Sequence, residues 1–139
     1  MKRRHIRRAF TLIELLLVLV ILAVLAAVVV PRLTGRVESA RRGGTITTIS
    51  NVKTALGVFE TDIGRYPTSE EGLTFLISNI TNDVLWKGPY LEKWPNDGWG
   101  SDLIYQCPGV EDPSSFDLSS PGPNKIPGDD DDIHKNDVY

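Results

Sequence analysis

The chain has 139 residues, a formal net charge of −3, two histidines and one cysteine, Cys107. One cysteine excludes an intrachain disulfide, and no Cys/His cluster offers a zinc site or a thiol nucleophile. Lys2, Arg3, Arg4, Arg7 and Arg8 crowd the first nine residues, so the remainder sets ten basic against eighteen acidic side chains, a net −8 that argues against a nucleic-acid partner.

Phe10 to Val30 is a run of twenty-one residues, the last sixteen of them, from Leu15, without a polar interruption. As a helix the run would measure about 31 Å, the thickness of a bilayer core. The basic cluster before it, against Arg32 and Arg36 soon after it, would keep the N-terminus cytoplasmic and send the remainder outward. A secretory signal would have a shorter apolar region ending in an A-x-A-like site, and Ala23, Ala26 and Ala27 lack that spacing. Glu14 stands out. A lone carboxylate in hydrocarbon is costly, so it either meets a cation or sits at headgroup level, slightly favoured by the helix dipole. Residue chemistry alone leaves both readings open.

Pro31 predicts a kink, because it removes one donor and crowds the preceding turn. Gly43-Gly44 weakens the helix again. Ile49, Val52, Leu56, Phe59 and Ile63 then recur at spacings of 3, 4, 3 and 4, an amphipathic stripe that predicts a helix lying against a small sheet. Gly64 and Pro67 mark its end. The stretch GRYPTSEEGLTFLISN predicts a loop, an N-cap at Thr68 or Ser69, and a short helix through Leu73, Leu76 and Ile77. From GPYLEKWPNDGWG onward, short apolar runs separated by Gly, Pro and Asn predict two or three brief antiparallel strands. Tyr66, Trp94 and Trp99 are read as core or turn-anchoring aromatics.

The segment PGPNKIPGDDDDI places four carboxylates, an amide oxygen and several carbonyls in a short turn-rich stretch, the hard oxygen set that calcium prefers. The EF-hand spacing is absent. Composition alone favours a solvated acidic loop over a metal site.

The run FTLIELLLVLVILAVLAAVVVP resembles the class III signal of type IV pilins and type II secretion pseudopilins. That resemblance implies cutting by a prepilin peptidase between Ala9 and Phe10, N-methylation of Phe10, a pairing of Glu14 with the N-terminal ammonium of a neighbouring subunit, and a mid-helix role for Pro31. Ala9 departs from the Gly usual in the family. GRYPTSEEGL, GPYLEKWPNDGWG and FDLSSPGPNKIPGDDDDI are similar in order and spacing to the major pseudopilins of type II secretion, so the likeness extends from Phe10 to about Ile133. Gly98 replaces the family's usual Pro, which implies a more flexible turn. Asn124 and Lys125 replace its usual Asp-Gly. The family's calcium loop, carried over by position, implies ligation by the side chains of Asn124, Asp131 and Asp132 and the carbonyls of Pro121, Ile126 and Asp129.

These readings combine into an α+β pilin-like fold, a long kinked N-terminal helix packed on a small antiparallel sheet with a calcium-binding loop. Residues 1–9 would be a cleaved cytoplasmic leader, 10–34 a transmembrane and filament-core helix, and 35–139 a periplasmic head. The resemblance implies a homo-oligomeric helical filament of the inner membrane and periplasm, the pseudopilus, that drives protein export. It also implies as partners the prepilin peptidase, minor pseudopilins, inner-membrane secretion components and the membrane itself. A type IV pilin is the alternative, but many close a C-terminal loop with two cysteines, and Cys107 has no second. A hydrolase is disfavoured because His5 lies in the leader, His134 in the tail, and no G-x-S-x-G is present.

Overall fold

The structure, a computed structural model, describes residues 10–137, excepting the side chains of residues 28–34. It divides into two compact units at Glu38 and Ser39. One helix, α1, runs from Leu12 to Ile63. In its first part, Leu12 to Leu25 and their apolar neighbours face outward with no protein packed on them. Among the described residues no helix is long and apolar enough to cross a membrane; the described side chains of the run end at Ala27, three residues short of its last valine. Pro31 lies within α1, and the kink expected there falls on side chains outside the described residues.

Gly43-Gly44 does not end the helix. The threonines that follow, Thr45, Thr47 and Thr48, turn their hydroxyls back onto the carbonyls of Arg41, Gly43 and Gly44 at 2.9, 3.0 and 3.1 Å. Those hydroxyls are satisfied within the helix, which runs on unbroken although such back-bonding shares the ladder's own carbonyls. The predicted stripe is the core face. Ile49, Val52, Leu56 and Phe59 are buried and Ile63 packs partly against them. Phe59 meets Phe75 and Tyr90 edge-on, with ring centroids 5.0 and 5.4 Å apart, the geometry the ring quadrupoles favour. Gly64, at φ 86°, takes the left-handed cap and donates its N–H to the Glu60 carbonyl, so α1 stops where Gly64 was read as a stop signal.

Thr68 makes the bonds of a cap, but around a turn: the short helix that forms has Gly72 as its N-cap, without a side-chain bond. The Thr68 hydroxyl accepts from Glu71 N–H at 3.2 Å while Glu71 Oε2 accepts from Thr68 N–H at 2.8 Å, a reciprocal capping box. The Arg65 guanidinium forks onto both Glu71 oxygens at 2.6 and 2.8 Å and holds that carboxyl below its usual range, with help from Thr68. The helix expected to follow is shorter than predicted. Gly72 sits at φ 56°, which no α-helix allows, so the segment closes a turn and resumes only as a four-residue 3₁₀ helix, Leu73–Leu76. Leu73, Phe75 and Leu76 fill the core from it.

The sheet has three antiparallel strands in the order β1-β2-β3: β1 (Ile104–Gln106), β2 (Asp117–Ser120) and β3 (Ile133–His134). Tyr105 pairs with Leu118, and Ser120 pairs with Ile133. Leu118, Ser120 and Ile133 are buried while Ile104 and His134 on the opposite face are exposed, the alternation a half-buried sheet requires. The aromatics anchor turns and core. Tyr66 packs on Phe116 with centroids 4.9 Å apart, and Trp94 Nε1 donates to Asp102 at 2.7 Å. The acidic segment is therefore the connection between β2 and β3, its two ends fixed by the Ser120–Ile133 pair.

Candidate functional site

Two regions carry the residues singled out in the sequence. At the N-terminal end, Ala9 lies outside the described residues. Phe10 is exposed and precedes the first helical residue. The helix start has a cap that the sequence reading missed: Thr11 Oγ1 accepts from the Glu14 backbone N–H at 3.3 Å, and the Thr11 carbonyl accepts from Leu15 N–H. Thr11-Leu12-Ile13-Glu14 has the T-x-x-E spacing of a capping box, the signal that could have found it. Glu14 thus lies in the first turn of α1, exposed, four residues after Phe10.

In the β2–β3 loop the structure brings together Asn124, Asp129 and Asp131. Asn124 Nδ2 donates to Asp129 Oδ2 at 2.6 Å and to Asp131 Oδ1 at 2.8 Å. Asn124 Oδ1 accepts from Ile126 N–H at 2.7 Å. The two carboxylates crowd each other: Asp129 keeps Asp131 above the ordinary carboxylate range, while Asp131 and Asn124 hold Asp129 below it. Asp129 was expected to contribute through its carbonyl, yet that oxygen accepts from Asp132 N–H at 3.3 Å within the loop's own turn, and it is the Asp129 side chain that reaches Asn124. Asp132 is apart from this group. It is only 8 % exposed, its Oδ2 accepts from Gly128 N–H at 2.8 Å, and its Oδ1 is buried without a hydrogen-bond partner.

Among the described residues, no three His, Cys, Asp or Glu side chains are grouped so as to hold a metal ion. The expected calcium set needs no such trio, because it joins two carboxylates, one amide oxygen and three carbonyls. Two observations fit that set: the orphaned Asp132 oxygen lacks a positive partner, and an amide N–H₂ stands between Asp129 and Asp131 where a cation would relieve their repulsion. Backbone shape fits too. Gly122, at φ 67°, lies so close to Asp131 that a Cβ would stand 2.5 Å from its carbonyl oxygen. Lys125 occupies a left-handed φ of 63°, a region that favours glycine, the residue usual at this position in the proteins the sequence resembles.

Behind the loop lies a group that the sequence reading did not single out. Asp97, 7 % exposed, accepts at Oδ1 from the N–H groups of Trp99 and Ser101 and at Oδ2 from the hydroxyl of buried Ser120. The turn that carries Gly98 is held by these contacts of Asp97.

Comparison with known proteins settles the family. The model of the type II secretion system protein G family matches residues 32–137, and that of the prokaryotic N-terminal methylation motif matches residues 4–30. The chain belongs to the type II secretion system protein G family. Type II secretion system core protein G of Klebsiella michiganensis is 36 % identical over 135 residues, covering 94 % of each chain. The core protein G of Klebsiella pneumoniae is 38 % identical over 131 residues, covering 91 % of this chain and 92 % of its own. Among solved structures, the major pseudopilin from the type 2 secretion system of enterohaemorrhagic Escherichia coli matches with a TM-score of 0.63 and 31 % identity, over 73 % of this chain and 87 % of that one. Fold and family thus agree with the resemblance read from the sequence, an α+β major pseudopilin of type II secretion. The family is one of structural subunits, and the match to protein G sets the type IV pilin alternative aside.

Proposed function

We propose that this chain is cut before Phe10, methylated there, held in the inner membrane by residues 10–34 with its head in the periplasm, and polymerised into the filament that drives export. The work is mechanical, with no catalytic step on this chain. One observation carries the reading: the protein G match over residues 32–137 is joined, in the same chain, to the methylation motif over residues 4–30. Removal of the basic leader creates an ammonium on Phe10, and Glu14 of a neighbouring subunit is its counter-charge in an apolar bundle. An off-register neighbour leaves both charges unpaired, so the pair sets stagger even where its net stabilisation is small. Prepilin peptidase, minor pseudopilins and the inner-membrane components of the system are the partners this role requires. Mass spectrometry of membrane-extracted protein from a host with active peptidase should give a chain beginning at methylated Phe10. Recovery of the full-length chain alone would overturn the processing step, and Ala9→Gly should raise the cut fraction.

Calcium is the ion proposed for the β2–β3 loop. When bound, it supplies the positive charge that the Asp129–Asp131 pair and Asp132 Oδ1 lack. Asn124, Asp131 and Asp132 would hold it by side-chain oxygens, and Pro121, Ile126 and Asp129 by carbonyls. Asn124 brings a neutral oxygen where the family's usual residue is an aspartate, and Lys125 adds a positive charge alongside, so the affinity is set lower than that donor set allows. Titration calorimetry of the full chain in detergent should register one calcium per chain and none with Asp131→Ala. Asn124→Asp should bind more tightly. Equal heats from wild type and Asp131→Ala would place the ion elsewhere.

A further inference from the structure

We infer that Asp97 and Ser120 form a buried strut that positions the β2–β3 loop for its ion, so that ion binding and order in the 97–101 turn strengthen each other. The inference rests on the calcium reading and adds residues that ligate nothing.

Hydrogen-bond direction makes the strut specific. Asp97 is buried, and donors satisfy its carboxylate: Trp99 N–H at 2.9 Å, Ser101 N–H at 2.7 Å and the Ser120 hydroxyl at 2.7 Å. A serine hydroxyl has one proton. Ser120 gives it to Asp97, which leaves its oxygen free to accept from Gly122 N–H at 3.1 Å. Gly122 in turn lies against the Asp131 backbone, where a Cβ would stand 2.5 Å from the carbonyl oxygen. Toward α1 the same turn continues the chain of contacts. Gly98 N–H donates to the hydroxyl of buried Thr45 at 2.9 Å, and that hydroxyl donates to the Arg41 carbonyl at 2.9 Å. From Asp131 to Arg41, then, each neighbour fixes the next by a directed bond or a backbone contact that leaves no room for a side chain.

Such a path has a thermodynamic consequence. If the strut raises the fraction of loops already shaped for the ion, its removal lowers apparent affinity by the same fraction. Linkage makes the effect reciprocal, so bound ion must protect the far end of the strut. A residue that only stabilised the fold would lower the melting temperature and leave affinity unchanged.

The test uses the full chain in detergent, with calcium chloride, magnesium chloride or chelator. In wild type, hydrogen exchange should show calcium slowing the amides of Gly98, Trp99 and Ser101 as well as those of residues 121–132. Calorimetry should find calcium affinity at least about fivefold weaker in Ser120→Ala, the lower end of usual inter-site couplings. Asp97→Asn should fall between, since it keeps an oxygen for the turn amides but offers Ser120 a donor in place of an acceptor. Leu76→Ala, a core change away from the strut, should lower stability and keep wild-type affinity. Should Ser120→Ala not fold, the wild-type exchange pattern decides. Protection confined to residues 121–132, or wild-type affinity in Ser120→Ala, overturns the strut while leaving the calcium site intact. No calcium heat from the wild type overturns the calcium reading and the strut with it.

Discussion

Gly98→Pro, the substitution that restores the residue usual in the family, should destabilise this chain strongly. The turn approaches α1 so closely that a Cβ on Gly98 would lie 2.4 Å from the Arg41 carbonyl oxygen and 2.8 Å from its carbonyl carbon and Cα. Those are backbone atoms of a helix and cannot swing aside as a side-chain tip can, so helix or turn must move, at a cost of about 1–3 kcal/mol for overpacking. Proline also removes the N–H that Thr45 Oγ1 accepts at 2.9 Å in a buried setting, a further loss of about 0.5–1.5 kcal/mol. Together these give roughly 2–4 kcal/mol, and for a head of this size each kcal/mol shifts the melting temperature by about 4–8 °C. Gly98→Ala keeps the donor and isolates the steric part, so it should fall between wild type and Gly98→Pro. Thermal unfolding followed by circular dichroism reads the series. A Gly98→Pro variant that melts within two or three degrees of wild type would show that the turn can retreat from α1 at little expense, and that the close approach is not a constraint.

Gly98 also illustrates what the sequence could and could not disclose. The stripe from Ile49 to Phe59 was legible because helical periodicity is written in neighbouring residues, and Gly64 was legible as a stop because its left-handed conformation is a local property. The strands were legible only as a number and a direction. With three, four and two residues each, they are too short for alternation to fix their bounds. The short helix after Thr68 was half right: the capping box formed, but Gly72 turned the backbone away from α geometry, and a lone glycine does not announce its φ. Asp129 to Asp132 were visible as a cluster of oxygen donors. Their differing environments, with Asp129 and Asp131 sharing one amide and Asp132 buried, depend on which backbone groups the fold brings beside them. Asp97 and Ser120 lie twenty-three positions apart, and nothing in either segment alone marks them as partners.

Glu14→Ala should abolish filament formation while leaving the membrane-bound subunit in normal amount. Two readings of Glu14 compete, and magnitude separates them. As a charge at a helix N-terminus it contributes about 0.3–1 kcal/mol, and its loss would change filament yield little. As the counter-charge of a neighbour's Phe10 ammonium in an apolar bundle, its removal leaves a buried charge uncompensated at about 3–5 kcal/mol per contact. Since about 1.4 kcal/mol is a factor of ten, each association step weakens by about two to four orders of magnitude, enough to stop growth of a filament built by repeating that step. The start of α1 does not confound the test. The hydrogen bond at 3.3 Å to Thr11 Oγ1 comes from the Glu14 backbone N–H, which alanine retains, and alanine is the strongest helix former. Glu14→Gln, with the shape but not the charge, should fail nearly as badly, which distinguishes ion pairing from packing. Sheared filaments and membrane fractions would be quantified from the same cells. Normal filament yield from Glu14→Ala would leave the helix-dipole reading standing and remove the intersubunit pair.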